Sequence, residues 1–259
     1  MEYLKDRQVL EISGSDTINF LQNLITNDLS KIYKKKIIHT FLLSNKGKIL
    51  FEFYIHYVDN RLLIDVNGES INDLQNHLMA YKLRSQVNIS IQDEQAVYWS
   101  DTDTKYLSDP RNEKIGFRRV QQKKQVLTID YKNNYDNIRI FESIAELNKD
   151  FKSEDVFPHE LDSYMNSISK EKGCYPGQEI VSRVYHNKAV SKKKFIRLSY
   201  TGNTKSQGTK LFQDSKEIGI LGSNANGFCL AYINREFASS HYEVMNNKLT
   251  SIRKSNDNI

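Results

Sequence analysis

Three β-rich runs occupy residues 37–66: IIHTFLL, KILFEFYIHYV and RLLIDV. Their breaks are at Asn45-Lys46-Gly47 and Asp59-Asn60, and both suit tight hairpin turns. Linkers this short cannot carry a crossover helix, so the three runs pair antiparallel. The alternation of Leu50, Glu52 and Tyr54 with Phe51, Phe53 and Ile55 predicts a sheet with one fully apolar face. Upstream, Val9–Ser13 reads as a strand ending at Gly14. Ser15 is then the expected N-cap of a helix with Ile18, Leu21, Leu24, Ile25 and Leu29 on one face. Downstream, Ser70-x-x-Asp73 resembles a capping box opening a second helix, with Ile71, Leu74, Leu78 and Tyr81 on its buried stripe.

Val87–Ile91 and Ala96–Trp99 continue as short strands, and Gly116–Val120 and Val126–Tyr131 read as two more or as a turn followed by one strand. Strands in runs, punctuated by helices, predict an α+β fold of antiparallel sheets and exclude a βαβ parallel sheet. Beyond Ser191 the texture changes. FIRLSY, TKLFQ, EIGILGS, GFCLAYI and HYEVMN are five short β candidates separated by Gly, Asn and Ser turns. They predict a small C-terminal β-barrel. The expected division is an α+β region over 1–190, itself two-lobed, and a barrel over 191–255, with the last residues, SNDNI, fraying.

The 259 residues are 39% hydrophobic and 11% aromatic, enough burial to outweigh chain entropy. No apolar run approaches the roughly 18–20 residues that span a bilayer. The N-terminus has neither a signal-peptide core nor a transit pattern, and two cysteines 55 positions apart make no disulfide framework. The default expectation is therefore a cytoplasmic protein with reduced thiols. The net charge of +5 sits mostly on lysines, and its tight runs, Lys34–Lys36 and Lys192–Lys194, read as solvated surface. No direct nucleic-acid partner and no membrane are expected. The polar stretch SDTDTKYLSDPRNEK reads as a loop without a metal-ligand pattern, so no metal site is expected either.

The segment best suited to chemistry is Lys172-Gly173-Cys174-Tyr175-Pro176-Gly177-Gln178-Glu179, with Arg183 and His186 following. Pro176-Gly177 fits the centre of a type II turn, where Pro presets the first φ and Gly takes the positive one. Such a turn presents a thiol near the Lys172 ammonium, and a nearby cation favours thiolate. On residue types alone, two readings stay open for Cys174: a reactive thiol, or a buried cysteine in a sharp turn. Cys229, inside Phe228-Cys229-Leu230-Ala231, reads as barrel core. A protease-like pair of Cys174 with His159 or His186 lacks an orienting partner and an oxyanion hole.

KGCYPGQE with Arg183 resembles the K-G-C-[YF]-x-G-Q-E-x-x-x-[RK] signature of the YgfZ family. These folate-binding proteins are related to the glycine cleavage T-protein aminomethyltransferases and to mitochondrial iron–sulfur assembly factors. Further matches are Gly14-Ser15-Asp16-Thr17, Phe20-Leu21-Gln22-Asn23, Thr26-Asn27-Asp28, Leu42–Ile49, Tyr81–Ser85, Asp109-Pro110-Arg111, Gly116-Phe117-Arg118 and Phe157-Pro158-His159-Glu160. The resemblance implies a folate-binding fold around a central hole, plus the C-terminal barrel. It implies tetrahydrofolate as cofactor, and iron–sulfur assembly machinery or client enzymes as partners. The implied role is to help make or repair iron–sulfur enzymes, including one that methylthiolates transfer RNA.

Cys174 and Lys172 are the implied working residues, with Gly173, Tyr175, Gly177, Gln178, Glu179 and Arg183 completing the motif. By residue type, Phe41, Phe53, Tyr54 and Tyr81 are candidate walls for folate, Asn27 and Glu160 its polar edges, and Lys46, Lys48 and Arg84 partners for its tail. The related transferases carry an acid in R-[IL]-E-x-G. Here Arg139-Ile140-Phe141-Glu142-Ser143 puts Phe at that place and Glu one step on, which in a strand faces the opposite way. Three roles are thus expected in order: an iron–sulfur accessory factor, a one-carbon transferase, and a scaffold with a degenerate folate site.

Overall fold

A computed structural model describes residues 1–123, 134–187, 190–201, 207–213, 215–238, 242–245 and 248–251. The expected strand Val126–Tyr131 and the terminal SNDNI lie outside the described residues. The chain opens with β1 (Glu2–Tyr3) and β2 (Arg7–Ser13), then α1 (Thr17–Gln22) and α2 (Ile32–Lys35). The three long runs follow as β3 (Ile37–Leu43), β4 (Ile49–Val58) and β5 (Arg61–Asn67). After α3 (Ile71–Lys82) come β6 (Asn88–Ile91), β7 (Gln95–Ser100), β8 (Leu107–Ser108) and β9 (Phe117–Gln122), and then α4 (Asn134–Phe141).

Strands β3-β4-β5-β2-β6, in that order, make one antiparallel sheet, and β1-β7-β9-β8 make a second. The β4–β5 hairpin closes on Asp59 and Asn60, at φ +49° and +60°, as the two-residue turn requires. One face of the larger sheet, with Phe53, Ile55 and Ile64, packs on α1 and α3 through Phe20, Leu21, Leu74 and Leu78. The other face is not solvated. Glu52, Tyr54, His56 and Asp65 are all buried there, so both faces of the sheet are covered and the second one is polar.

Tertiary contacts override several local signals in α1 and α3. Helix α1 stops at Gln22, although Leu24, Ile25 and Leu29 remain buried beyond it. Its N-cap position is Asp16, not Ser15, and the Asp16 carboxylate instead receives the Gln86 amide at 2.7 Å. Ser70 does precede α3, but its hydroxyl accepts from the Asn148 side chain and caps nothing. Tyr81 falls at the edge of the α3 stripe, its ring tilted against His77 at 5.0 Å, and is 43% exposed.

The later chain runs through α5 (Gln178–His186) into β10 (Lys193–Thr201), β11 (Lys210–Gln213), β12 (Lys216–Ala225), β13 (Phe228–Asn234), β14 (Tyr242–Met245) and β15 (Lys248–Ser251). These six strands close in the order β10-β13-β12-β11-β15-β14; the sixth has no counterpart among the five expected β candidates. Cys229, Leu198 and Leu211 lie in the barrel interior. Phe195, Leu230 and Tyr232 instead join a core with Phe41, Leu43, Ile49 and Phe151 from the preceding region. Among the described residues no helix is long and apolar enough to cross a membrane.

Candidate functional site

The motif loop is locked at both ends. Lys172 is nearly buried, and its ammonium donates to the main-chain carbonyls of Gln22 and Ile25, where α1 has run out of amide partners. Burial lowers its pKa to about 8, against a partial opposing pull from Asp28. Lys172 also lies 5.0 Å from the Tyr175 ring centre. The hydrogen bonds of the Lys172 ammonium are thus made to main-chain carbonyls at the end of a helix.

At the other end, Gly177 has φ +77° and ψ 0°, and the Gln178 amide reaches back to the Tyr175 carbonyl at 3.2 Å, as in a type II turn. A Cβ on Gly177 would stand 2.5 Å from the Ser44 carbonyl oxygen, and one on Gly47 would stand 2.8 Å from Cβ of Ile180. The motif turn and the β3–β4 hairpin therefore fit together backbone against backbone. Gly173, by contrast, faces open space, with nothing within 4 Å of a built Cβ. Between these fixed points Cys174 is exposed, which removes the buried-cysteine alternative. Cys229 is buried, and that burial pushes its thiol up to about 12. Tyr175 packs inward with its phenol pushed up to about 12 by burial. Gln178 and Glu179 start α5, and Glu179 pairs with Arg183 at 2.8 Å on the solvent side.

The Thr26-Asn27-Asp28 segment braces this loop from below. Thr26 donates to the Ser167 carbonyl at 2.7 Å and its own carbonyl accepts the Ser169 amide. Asn27 donates to the carbonyls of His39 and Asn166, at 2.8 and 3.0 Å, while its oxygen accepts from Lys31. Glu160 is equally committed, receiving Ser191, Tyr232 and the Phe157 amide at 2.6, 2.7 and 2.9 Å. Both are internal tie points. Lys46 sits exposed at the hairpin tip, and Tyr81 and Arg84 lie exposed at and beyond the end of α3. None of these five lines the cleft formed at Asp109 and Arg111. Phe41, Phe53 and Tyr54 are interior, at most 1% exposed, and line no open wall.

Where the two sheets, α4 and the barrel meet, charged side chains from the sheets, α4 and the loops between them form one buried network, which the barrel joins through the Ser223 hydroxyl. Arg7 and Arg118 converge on Asp65, donating at 2.6 and 2.8 Å. Arg111 reaches Asp109 at 3.0 Å, Glu146 at 2.8 Å and the Tyr135 hydroxyl at 2.8 Å, and Tyr54 donates to Asp109 at 2.9 Å. Arg139 joins Asp150 at 2.7 Å and Ser223 of the barrel at 2.7 Å. His39 bridges Ser167 and Glu52 at 2.6 and 3.0 Å. Burial alone would raise Asp65 and Asp109. Arg7 with Arg118, and Arg111 with Arg118, outweigh it and hold both carboxyls below the ordinary range. Burial also lowers His39 and His56, leaving both neutral inside.

The network opens outward into a cleft of about 520 Å³. Asp109 and Arg111 form its floor, and Asn112, Glu142, Ser163 and Asn166 are among its walls. Sequence reasoning picked out Asp109–Arg111 and Arg118 only as matching segments. The available signal for the network was charge inside apolar strands, as at Glu52, Asp65 and Arg118. The segment carrying Glu142 is the end of helix α4 and its following turn, not a strand. Glu142 accepts from Asn112 at 3.2 Å within the cleft, while Phe141 meets Phe228 at 5.5 Å and lies under Arg197. Among the described residues no group of three or more His, Cys, Asp or Glu could hold a metal.

No family model matches the chain. Among curated proteins it is 28% identical over 225 residues to the mitochondrial iron–sulfur cluster assembly factor IBA57 homolog of Mycosarcoma maydis, covering 75% of this chain and 55% of that one. The protein of the same name from Neurospora crassa is 29% identical, over 73% of this chain and 51% of its own. That from Dictyostelium discoideum is 23% identical, over 74% and 60%. The chain thus spans about half the length of the curated relatives it matches. Their names place them in the mitochondrion, which overturns the expectation of a cytoplasmic protein. Among solved structures, the glycine cleavage system aminomethyltransferase T of Bartonella henselae superposes with a TM-score of 0.70 at 11% identity. The match covers 95% of this chain and 82% of that one, and shows that the two share a fold.

Proposed function

We propose that this protein is an accessory factor for the assembly or repair of iron–sulfur proteins, with Cys174 as its working thiol. The observation that carries this reading is the contrast within the motif. Lys172, Tyr175 and Gly177 are fixed against α1 and the β3–β4 hairpin, and Cys174 between them is left exposed. A thiol held out on a rigid turn suits transient exchange with a partner better than it suits packing. The similarity to the iron–sulfur assembly factors supports the same role. Client enzymes in this reading include one that methylthiolates transfer RNA. The test replaces Cys174 by Ser in the cell and measures a dependent iron–sulfur enzyme and the methylthiolated transfer RNA. Loss of both at normal protein level is expected; full activity contradicts the role.

The same reading places tetrahydrofolate in the cleft above Asp109 and Arg111. The volume lies within the roughly 300–1,000 Å³ typical of small-molecule sites, and the Glu142 carboxylate, Asn112 and Asn166 offer the acid and amide groups a pterin edge requires. Calorimetric titration with tetrahydrofolate is expected to give saturable binding that Glu142→Gln weakens about tenfold, an effect worth about 1.4 kcal/mol. Absence of binding at millimolar ligand would leave a contact-only scaffold. One-carbon transfer is the second reading, favoured by the presence of Glu142 in the cleft wall despite Phe141 at the motif position. It requires product formation from an aminomethyl or methyl donor by purified protein, which the primary reading does not.

A further inference from the structure

A second, smaller cavity lies against the motif. Its walls include Tyr164, Ile168, Tyr175, Val181 and Tyr185, between the 164–170 segment and α5, and its volume is about 80 Å³. Tyr175 and Gln178 of the motif line it, and Tyr175 directly follows the exposed Cys174 in the chain. The volume decides what can enter. It is several times the roughly 10–15 Å³ that admits one water and well short of the roughly 300 Å³ at which small-molecule sites begin. It has room for one medium-sized side chain. The interior is apolar, with Ile168, Tyr175 and Val181 nearly buried, while Met165 and Tyr185 at the mouth are 41% and 44% exposed. Exposed Tyr and Met around an apolar pocket have the composition of a protein-binding anchor site.

The charge at the mouth restricts the occupant further. Lys170 lies over the Tyr185 ring at 3.7 Å, and no carboxylate stands within 4.0 Å of it among the described residues. His186 lines the same mouth. The complement to this rim is a carboxylate directly beside an apolar side chain.

We infer that this cavity is a socket for a single apolar side chain of a protein partner, carried next to an acidic residue, which docks the partner against Cys174. The inference rests on the accessory-factor reading for the partner's role, but the socket's chemistry is testable without it. Titration of 15N-labelled protein with acetyl-Asp-Phe-amide is expected to shift the amides of Ile168, Val181 and Tyr185 at millimolar concentration. Acetyl-Lys-Phe-amide and acetyl-Asp-Ala-amide are expected to shift them at least fivefold less. Lys170→Glu is expected to reverse the preference between the acidic and basic peptides. Equal response to the Asp and Lys peptides, or no response at these amides, overturns the socket. Ser182 also lines the cavity, and in cells Ser182→Trp, which fills it, is expected to lower dependent iron–sulfur enzyme activity at least fivefold, with the melting temperature and the alkylation rate of Cys174 unchanged. If Cys174→Ser abolishes that activity and a folded Ser182→Trp protein retains it, the socket fails and the thiol role stands. If Cys174→Ser is silent, the thiol role fails while the peptide titration still decides the socket.

Discussion

Gly173 and Gly177 are four positions apart in one motif and do different jobs. Gly177 must hold φ +77° and has no room for a Cβ against Ser44. Gly177→Ala is therefore expected to destabilise the fold by about 2 kcal/mol or more, the left-handed backbone alone costing about 1–2 kcal/mol. Gly173→Ala meets nothing and should stay within about 0.5 kcal/mol of the parent. Denaturant midpoints of the two variants check this, and equal losses would contradict it. Lys172 belongs with Gly177. Lys172→Met strips the carbonyls of Gln22 and Ile25 of their donor, an expected loss of about 1–3 kcal/mol in the same measurement. The motif was legible in the sequence as a turn bearing a thiol. What Lys172 touches was not, because its partners are main-chain atoms about 150 residues away and carbonyls leave no mark in residue identity.

At the scale of elements, strand runs and hairpin turns read directly from local pattern, since alternation and turn chemistry act over a few residues. The end of α1 and the polar face of the larger sheet did not. Both depend on what packs against them: Lys172 on one, the buried arginines on the other. The face bearing Tyr54, His56 and Asp65 is held by Arg7 and Arg118, so Asp65→Asn leaves two buried guanidiniums short of a counter-charge. An expected loss of about 3–5 kcal/mol should follow, read from thermal or denaturant unfolding. A loss below about 1 kcal/mol would mean that the network does not act as described. The shift from strand to helix at 134–141 also moves Glu142 into the cleft, where a strand register would have turned it away.

Across the whole molecule, the network makes stability depend on acid. His39 and His56 have folded pKa values below their ordinary 6.5, so the unfolded chain binds protons that the fold refuses. Their stability is complete above about 6.5 and is lost as pH falls from there toward the depressed values. Asp65 and Asp109, held low by arginines, have the same sign and add a further loss as pH falls below the ordinary carboxylate range. Unfolding free energy should thus decline as pH falls below about 6.5, and again as it falls below about 4; equal stability at pH 7 and pH 3 would contradict the account. Because Phe195, Leu230 and Tyr232 share a core with Phe41 and Leu43, the barrel should unfold with the rest. Fluorescence of Trp99 in the second sheet and labelling of Cys229 in the barrel should report one midpoint in a Cys174→Ser background. Two midpoints would mean that the barrel is energetically separate.

The most direct test joins these scales in one comparison of Cys174→Ser with the parent protein, measuring dependent iron–sulfur enzyme activity per folded molecule. The prediction is a loss of at least tenfold with no change in melting temperature. Activity within twofold of the parent at equal stability would contradict the claim that this exposed thiol does the protein's work.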